Sequence, residues 1–309
     1  MMIGDLPHEE AIRQLTGPGM VVSMGPFRVR IASRIPHFCR QFTDLYRYHR
    51  LADAEPFVDF DLRLTSRWSW RAPRGRVVAF EFNGDAPILP LPIDQAMPLF
   101  EWGLNWCVTS HAHHFIIVHA GIVARGGEAI LMPGASGSGK STLTTALCYS
   151  GWRLLSDELA LIDMEQGLAY PMPRPISLKN KSIASIQAFS SEVHIGCIVS
   201  ETRKGEIALL RPPAASVAAE EHPARITRIL FPIYEPSVSA VGVPLTRGQA
   251  FLKTFDSTFN YGIRGKRDFA LLADLIERAP AAEIRYGDLD AALALIEGPA
   301  LWPAPLLTP

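Results

Sequence analysis

Gly134-Ala135-Ser136-Gly137-Ser138-Gly139-Lys140-Ser141 fills every position of the pattern G-x-x-x-x-G-K-S/T. An apolar run, AILM, precedes it, and LTTALCYS follows it with helical spacing. That context asks for a strand, a tight glycine turn and a helix in succession, which places the chain in the α/β class. The residue types suit phosphate chemistry. Glycines permit the tight path and let backbone N–H groups point inward at phosphate oxygens. The helix start adds the positive end of its dipole. Lys140 reaches the β- and γ-phosphates, and the Ser141 hydroxyl, with Thr142 beside it, is placed for Mg²⁺ and phosphate. A glycine-rich turn before any helix shares part of this pattern; the flanking runs favour the nucleotide reading.

The second constraint is an acidic pair, Asp157-Glu158, that follows the loop after one short helix. Leu154, Leu155, Leu159, Leu161 and Ile162 mark a buried strand around it. Neighbouring residues on a strand point to opposite faces, so the two carboxylates share a site only where a bulge or a strand end turns both inward. An ionised carboxylate inside a sheet is costly without a metal, a cation or a proton to handle. The alternative is a strand end reaching solvent. ATP-binding cassettes also join such a loop to an acidic pair, but far downstream and after an LSGGQ-type signature, which this chain lacks. The N-K-x-D motif of small G proteins is also missing.

With 309 residues, 48% hydrophobic and 20% charged, the chain has room for a large core. A net charge of -1 gives no reason to expect nucleic acid or an anionic membrane as partner. The four cysteines are scattered with no C-x-x-C, so they read as small buried hydrophobes in a reducing compartment. No stretch of 18 apolar residues and no secretory h-region near the first residues is found, and a cytoplasmic protein is expected.

Periodicity divides the rest. Helices are expected at 8–16, across IPHFCRQFTDLYRYH, from Leu99 to about Ser110, and in TRGQAFLKTFD, KRDFALLADLIER and DLDAALALIE, the last capped by Asp288 and closed by Gly298. Strands are expected in MVVSM, FRVRIAS, FVDFDLRL, RVVAFEF and ARITRILFPIY. HFIIVHAGIVARGGEAILMPG holds three short apolar runs, the last two joined as a hairpin at Arg125–Glu128. WRLLSDELALID and GLAYPMPRPISL continue as strands. Pro87–Pro92 reads as a linker, and SRWSWRAPRGR as a turn whose tryptophans pack at a core or edge or meet a partner. The expected organisation is an α+β module over 1–111, a working domain over 112–298 and a Pro-rich tail over 299–309, loose or docked by Trp302.

The order of a histidine-bearing strand, a hairpin, the glycine loop and an acidic strand is carried by VHAGIVARGGEAILMPGASGSGKSTL, GWRLLSDELALID, PMPRPISLKN, ILFPIY, STFNYG and YGDLDAAL. These segments resemble the HPr kinase/phosphorylase family, bacterial serine kinases related in fold to phosphoenolpyruvate carboxykinase. Within it the chain is most similar to the HPr-kinase-related kinase A group, relatives of lasso-peptide tailoring kinases. Likeness to that group spans most of the chain; likeness to HPr kinase proper spans about 115–185. The resemblance implies a P-loop kinase domain that uses ATP and Mg²⁺ to phosphorylate a serine of a peptide, protein or carrier. HPr kinases are oligomers, which leaves an oligomer open here.

By position, the resemblance makes Asp157 the base that takes the serine proton and puts His119 near it, with Lys140 the third catalytic residue. Glu158 stands where the family has a second aspartate, and its longer arm implies a Mg²⁺ ligand beside Ser141 or a group orienting Asp157. Without the resemblance, a lone strand histidine reads as structural. PMPRPISLKN replaces the family's I-R-G-x-G-I type signature, which removes the sequence support for a phosphorylase activity. It leaves Arg174 and Lys179 as phosphate or substrate contacts, or as an exposed basic loop. Arg264, with Lys266 and Arg267, forms a second anion clamp or a solvated cluster, and Asn260 in STFNY is a candidate hydrogen-bonding group near the site. Two other readings share the scaffold: a small-molecule kinase, and a nucleotide-binding regulator with little turnover.

Overall fold

The computed structural model describes residues 1–52, 57–70, 75–202 and 205–302. Among these the chain is mixed α/β and forms two compact units. Unit 1 holds Met1–Ala112, Arg174–Asn180 and Val193–Ala218; unit 2 holds His113–Pro173, Lys181–Glu192 and the rest from Ala219. The first unit therefore takes up two later stretches as well as the residues expected of an N-terminal module.

Unit 1 begins with α1 (His8–Thr16), β1 (Met20–Met24), β2 (Phe27–Ser33) and α2 (Pro36–Leu45), followed by β3 (Phe60–Trp68), β4 (Arg76–Phe82), β5 (Leu91–Pro92) and α3 (Ala96–His111). The strands form one sheet in the order β1-β2-β3-β4-β5. Val29 and Ile31 are buried and Arg28 is exposed, as alternation in β2 requires. Phe38 and Phe42 of α2 and Phe100 of α3 meet edge-on or stacked in the core beside Tyr46. The proline-rich stretch read as a linker instead contributes β5, which pairs with β4 through Leu91 and Pro92. Two residues with one proline suit a sheet edge, where a missing N–H leaves no ladder bond unmade. The expected tryptophan-rich turn starts later than its composition implies, because β3 continues to Trp68. Trp68 and Trp70 are 77% and 80% exposed, not packed in a core. Residues 71–74 of that segment lie outside the described residues.

Unit 2 opens with β6 (Phe115–Arg125) and β7 (Glu128–Pro133), then α4 (Lys140–Cys148), β8 (Arg153–Ser156), β9 (Leu159–Asp163) and β10 (Leu168–Tyr170). The chain returns to unit 1 for β11 (Ile176–Lys179), supplies α5 (Lys181–Phe189) to unit 2, and returns again for β12 (Ile195–Thr202), β13 (Gly205–Leu210) and α6 (Ala214–Ala218). β11, β13 and β12 make a small antiparallel sheet. Unit 2 then closes with β14 (Ala224–Tyr234), β15 (Ala240–Pro244), α7 (Arg247–Phe255), α8 (Lys266–Arg278), β16 (Ala281–Tyr286) and α9 (Leu289–Glu297).

The large sheet of unit 2 runs β10-β9-β6-β7-β14-β16-β15, with β8 added on β6. β10 pairs with both β9 and β14, so five strands close on themselves. Alanines at 120, 124, 129, 160, 169 and 224 line the cluster inside this curl, where larger side chains would hold the sheet open. Ala250, Leu272, Leu275 and Ile276 of α7 and α8 pack into the same cluster.

The hairpin at Arg125–Glu128 forms as expected: Gly126 and Gly127 both have positive φ, 57° and 85°, as a primed two-residue turn requires. The two apolar runs before it, read as separate, are one eleven-residue strand, β6. Gly121 caused the misreading. It sits in mid-strand because Thr144 of α4 lies where its side chain would be; a Cβ there would run into Thr144 Oγ1. A glycine inside a strand marks such a close approach. Gly121→Ala is therefore expected to cost about 1–3 kcal/mol by overpacking, measured by chemical denaturation. Adding Thr144→Ala should recover most of the loss; a neutral Gly121→Ala would contradict this packing.

Asp288 caps α9 by accepting the Ala291 N–H at 2.7 Å, and Gly298 follows its end. The tail begins as a short turn at Pro299–Leu301, and the Trp302 indole docks on the Ile296 carbonyl at 2.7 Å; residues 303–309 lie outside the described residues. No described helix is long and apolar enough to cross a membrane. All four cysteines are buried. Burial pushes their thiols up, to about 11 at Cys39 and Cys197 and about 12 at Cys107.

Candidate functional site

The glycine loop leaves β7 at Pro133 and enters α4 at Lys140. Gly137 and Gly139 hold φ of 87° and 96°, in the left-handed region that other residues avoid. At Gly139 a side chain is excluded twice over, since a Cβ would stand 2.5 Å from the Tyr286 hydroxyl. Lys140 is buried and folds back over the loop, donating from Nζ to the carbonyls of Gly134 (2.6 Å) and Ala135 (3.0 Å). Ala135, Ser136 and Gly137 face solvent. No side chain caps α4 among the described residues, so its first-turn N–H groups and dipole are turned to the loop. Leu143, Ala146 and Leu147 anchor the helix in the core.

The acidic pair sits at a break. WRLLSDELALID, expected as one strand, is β8 and β9, and Asp157 and Glu158 are the two residues between them. The Ser156 hydroxyl accepts the Leu159 N–H at 3.1 Å and stabilises the turn. The break resolves the geometric problem of adjacent carboxylates. Asp157 is buried, and its charge joins burial in pushing up the Cys148 thiol of α4. Glu158 turns to His119, Oε2 to Nε2 3.5 Å. On β6, His119 shares a face with Gly121, the face covered by Thr144 of α4. Both carboxylates thus serve the side of the sheet on which α4 and its loop lie.

Register sets the level along the strands. Ala120 pairs with Pro133, where β7 gives way to the loop, and His119 pairs with Leu159 just past the acidic pair. Beyond that point β7 no longer covers the edge of β6. The segment Ser257–Asn260 takes over: His119 donates to the Ser257 carbonyl (2.7 Å) and Phe259 to that of Ile117 (2.9 Å). Asn260 completes this edge from its side chain, accepting the Ile117 N–H and donating to the Phe115 carbonyl, both at 2.9 Å. Phe259, half exposed, lies against the His119 ring at 5.5 Å. His119 therefore has the Glu158 carboxylate within 3.5 Å.

On the other side of the loop stand β14 and β16, parallel to β7 and its successive neighbours. Tyr234 ends β14 and donates its N–H to the Ser138 carbonyl at 2.9 Å. Tyr286 ends β16, and its buried hydroxyl donates to the Gly139 carbonyl at 2.8 Å. Burial and the neighbouring Tyr234 push the Tyr286 phenol above its usual range. The sequence reading missed both tyrosines. The signal was present in aromatics closing the runs ILFPIY and AAEIRY, but β16 was not recognised as a strand.

Of the remaining predicted residues, Arg174 and Arg264 are engaged by carboxylates. Arg174 and Lys179 belong to unit 1, and the loop belongs to unit 2. Arg174 is buried, its guanidinium on Glu101 at 2.9 Å and on Asn105, and Tyr46 donates to the same Glu101 at 2.6 Å. Arg174→Met is expected to destabilise the fold by about 3–5 kcal/mol, because it strips a buried carboxylate of its guanidinium. A melt reads this loss. Reduced nucleotide affinity with full stability would return Arg174 to a phosphate-binding role. Lys179 is half-buried in β11. Arg264 pairs with fully buried Asp268 at 2.6 Å and donates to the carbonyls of His113 and Phe115, fastening the 260–265 loop to β6.

The donor atoms near the loop are hard oxygens: the Ser141 hydroxyl on the first turn of α4, and the carboxylates of Asp157 and Glu158. No cluster of three or more His, Cys, Asp or Glu suited to a metal exists among the described residues. Such a set suits Mg²⁺, which keeps waters and phosphate oxygens in its shell and takes one or two protein ligands. The Ser138 Oγ, buried in the loop with no hydrogen-bond partner among the described residues, is a further group for a phosphate to satisfy.

A family model described as SynChlorMet cassette protein ScmC matches residues 100–233, fewer than half of the chain. No curated protein matches. The matched stretch begins in α3 and runs into β14, so the similarity to ScmC includes the loop, His119 and the acidic pair.

Proposed function

We propose that the chain is a Mg²⁺-dependent ATP phosphotransferase acting on an alcohol, with unit 2 a P-loop kinase domain of the HPr kinase type. The acceptor is a serine of a peptide, protein or carrier. One observation carries the reading. The glycine loop at the start of α4, the acidic pair at the β8–β9 break and His119 lie at one level of one sheet and on one face.

Phosphoryl transfer needs positioning and charge stabilisation more than covalent chemistry from the protein. The loop N–H groups and the Lys140 ammonium hold the phosphates. Asp157 accepts the proton of the attacking hydroxyl as the oxygen bonds to phosphorus, and ADP leaves from the opposite side. Ser141 and Glu158 would hold Mg²⁺, which when bound would supply neutralising charge at the phosphate oxygens. His119 positions Glu158. A pure nucleotide binder has no use for a buried base beside the loop, which favours turnover.

The test follows γ-labelled ATP with Mg²⁺ and a cell extract as acceptor. Label in a macromolecular fraction, stable to acid and removed by alkali as a serine ester is, is the expected result. Label confined to small molecules would move the assignment to a small-molecule kinase. ATP binding with no transfer would leave a nucleotide-binding regulator.

A further inference from the structure

The loop stands between two unlike walls. On the β6 side are His119, Glu158 and Asp157; on the β14–β16 side are Tyr234 and Tyr286. If the γ-phosphate is delivered to Asp157, a triphosphate lying along the loop carries its base toward the tyrosines. Tyr286 is buried beneath the loop, whereas Tyr234 is 46% exposed, its ring edge-on to that of Tyr286 at 5.8 Å.

The backbone of this residue is held in place from several directions. Its own N–H is bonded to Ser138, and Glu235 donates to the Tyr286 carbonyl at 2.8 Å. Gly287 donates to Val238 at 2.6 Å, and a Cβ on Gly287 would stand 2.7 Å from the Glu235 carbonyl, so the 234–238 turn is clamped to the end of β16. An aromatic side chain on a fixed backbone, set edge-on against a buried ring, loses little freedom when a flat ligand covers it.

We propose that Tyr234 is the platform on which the base of the bound nucleotide stacks. The inference rests on the nucleotide-binding reading of the loop. Aromatic stacking on a base is tolerant of base identity, so the ring adds affinity for nucleotides in general over bare polyphosphate.

The experiment compares ATP with inorganic tripolyphosphate, both with Mg²⁺, by calorimetry on the full chain. Tyr234→Ala keeps the Cβ against Gly139 and the N–H to Ser138, so the loop keeps its support. It should weaken ATP about tenfold or more and leave tripolyphosphate unchanged. Tyr234→Phe should bind ATP nearly as the parent does, and the emission of Tyr234→Trp should change with ATP but not with tripolyphosphate. Unchanged ATP affinity in Tyr234→Ala overturns the proposal. So does an equal loss for both ligands, which would make the ring a support for the loop. If the parent chain binds neither ligand, the nucleotide reading itself has failed and the platform with it.

Discussion

Lys140→Ala is expected to abolish nucleotide-dependent phosphoryl transfer, with a loss in kcat/KM of at least roughly 10²–10³-fold, the scale for removing one preorganised charge-stabilising group. The side chain is buried over the loop and its ammonium is already directed at the Gly134 and Ala135 carbonyls. Its removal takes away both the charge proposed to meet the γ-phosphate and a brace across the loop. Lys140→Met separates the two effects in part, since it keeps an unbranched stem of similar length. Both variants should fail in a label-transfer assay, and Lys140→Met should melt closer to the parent. Retained activity in either would refute the assignment of the loop.

Asp157→Asn should lose transfer by about 10²–10⁴-fold, the usual contribution of a positioned base, while ATP affinity stays near that of the parent. The substitution is nearly isosteric, and Asp157 is buried at a break whose turn is stabilised by the Ser156 hydroxyl. Glu158→Gln is the informative contrast. Its carboxylate faces His119 and is more exposed than Asp157. It should raise the Mg²⁺ concentration needed for turnover more than it lowers the maximal rate. Joint loss of ATP affinity and transfer in Asp157→Asn would make that residue a metal or structural group.

What could be read from the residues depended on the range of the interaction. The loop, its strand and its helix were legible because each position is dictated locally, by backbone path or by charge. The hairpin at Gly126-Gly127 was legible for the same reason. Gly121 was not, because its cause is Thr144 of another element, 23 positions away. The break at Asp157-Glu158 was visible only as a question: flanking leucines argued for a continuous strand, and the burial cost of two carboxylates argued against it. The cost prevailed.

Arg174 and Arg264 show a different limit. In sequence, an arginine near a phosphate loop reads as a ligand contact. Only the fold reveals Glu101 and Asp268 as carboxylates already in place to hold them. Tyr234 went unnoticed because a strand-ending tyrosine is ordinary until parallel pairing sets it beside Ser138.

The most direct test of a phosphotransferase with Asp157 as base is γ-phosphate transfer from labelled ATP with Mg²⁺, parent against Asp157→Asn. ATP affinity is measured on both proteins in the same buffer. The account predicts transfer to one acceptor by the parent, lost in the variant at unchanged ATP affinity. Equal transfer by the two proteins would contradict it.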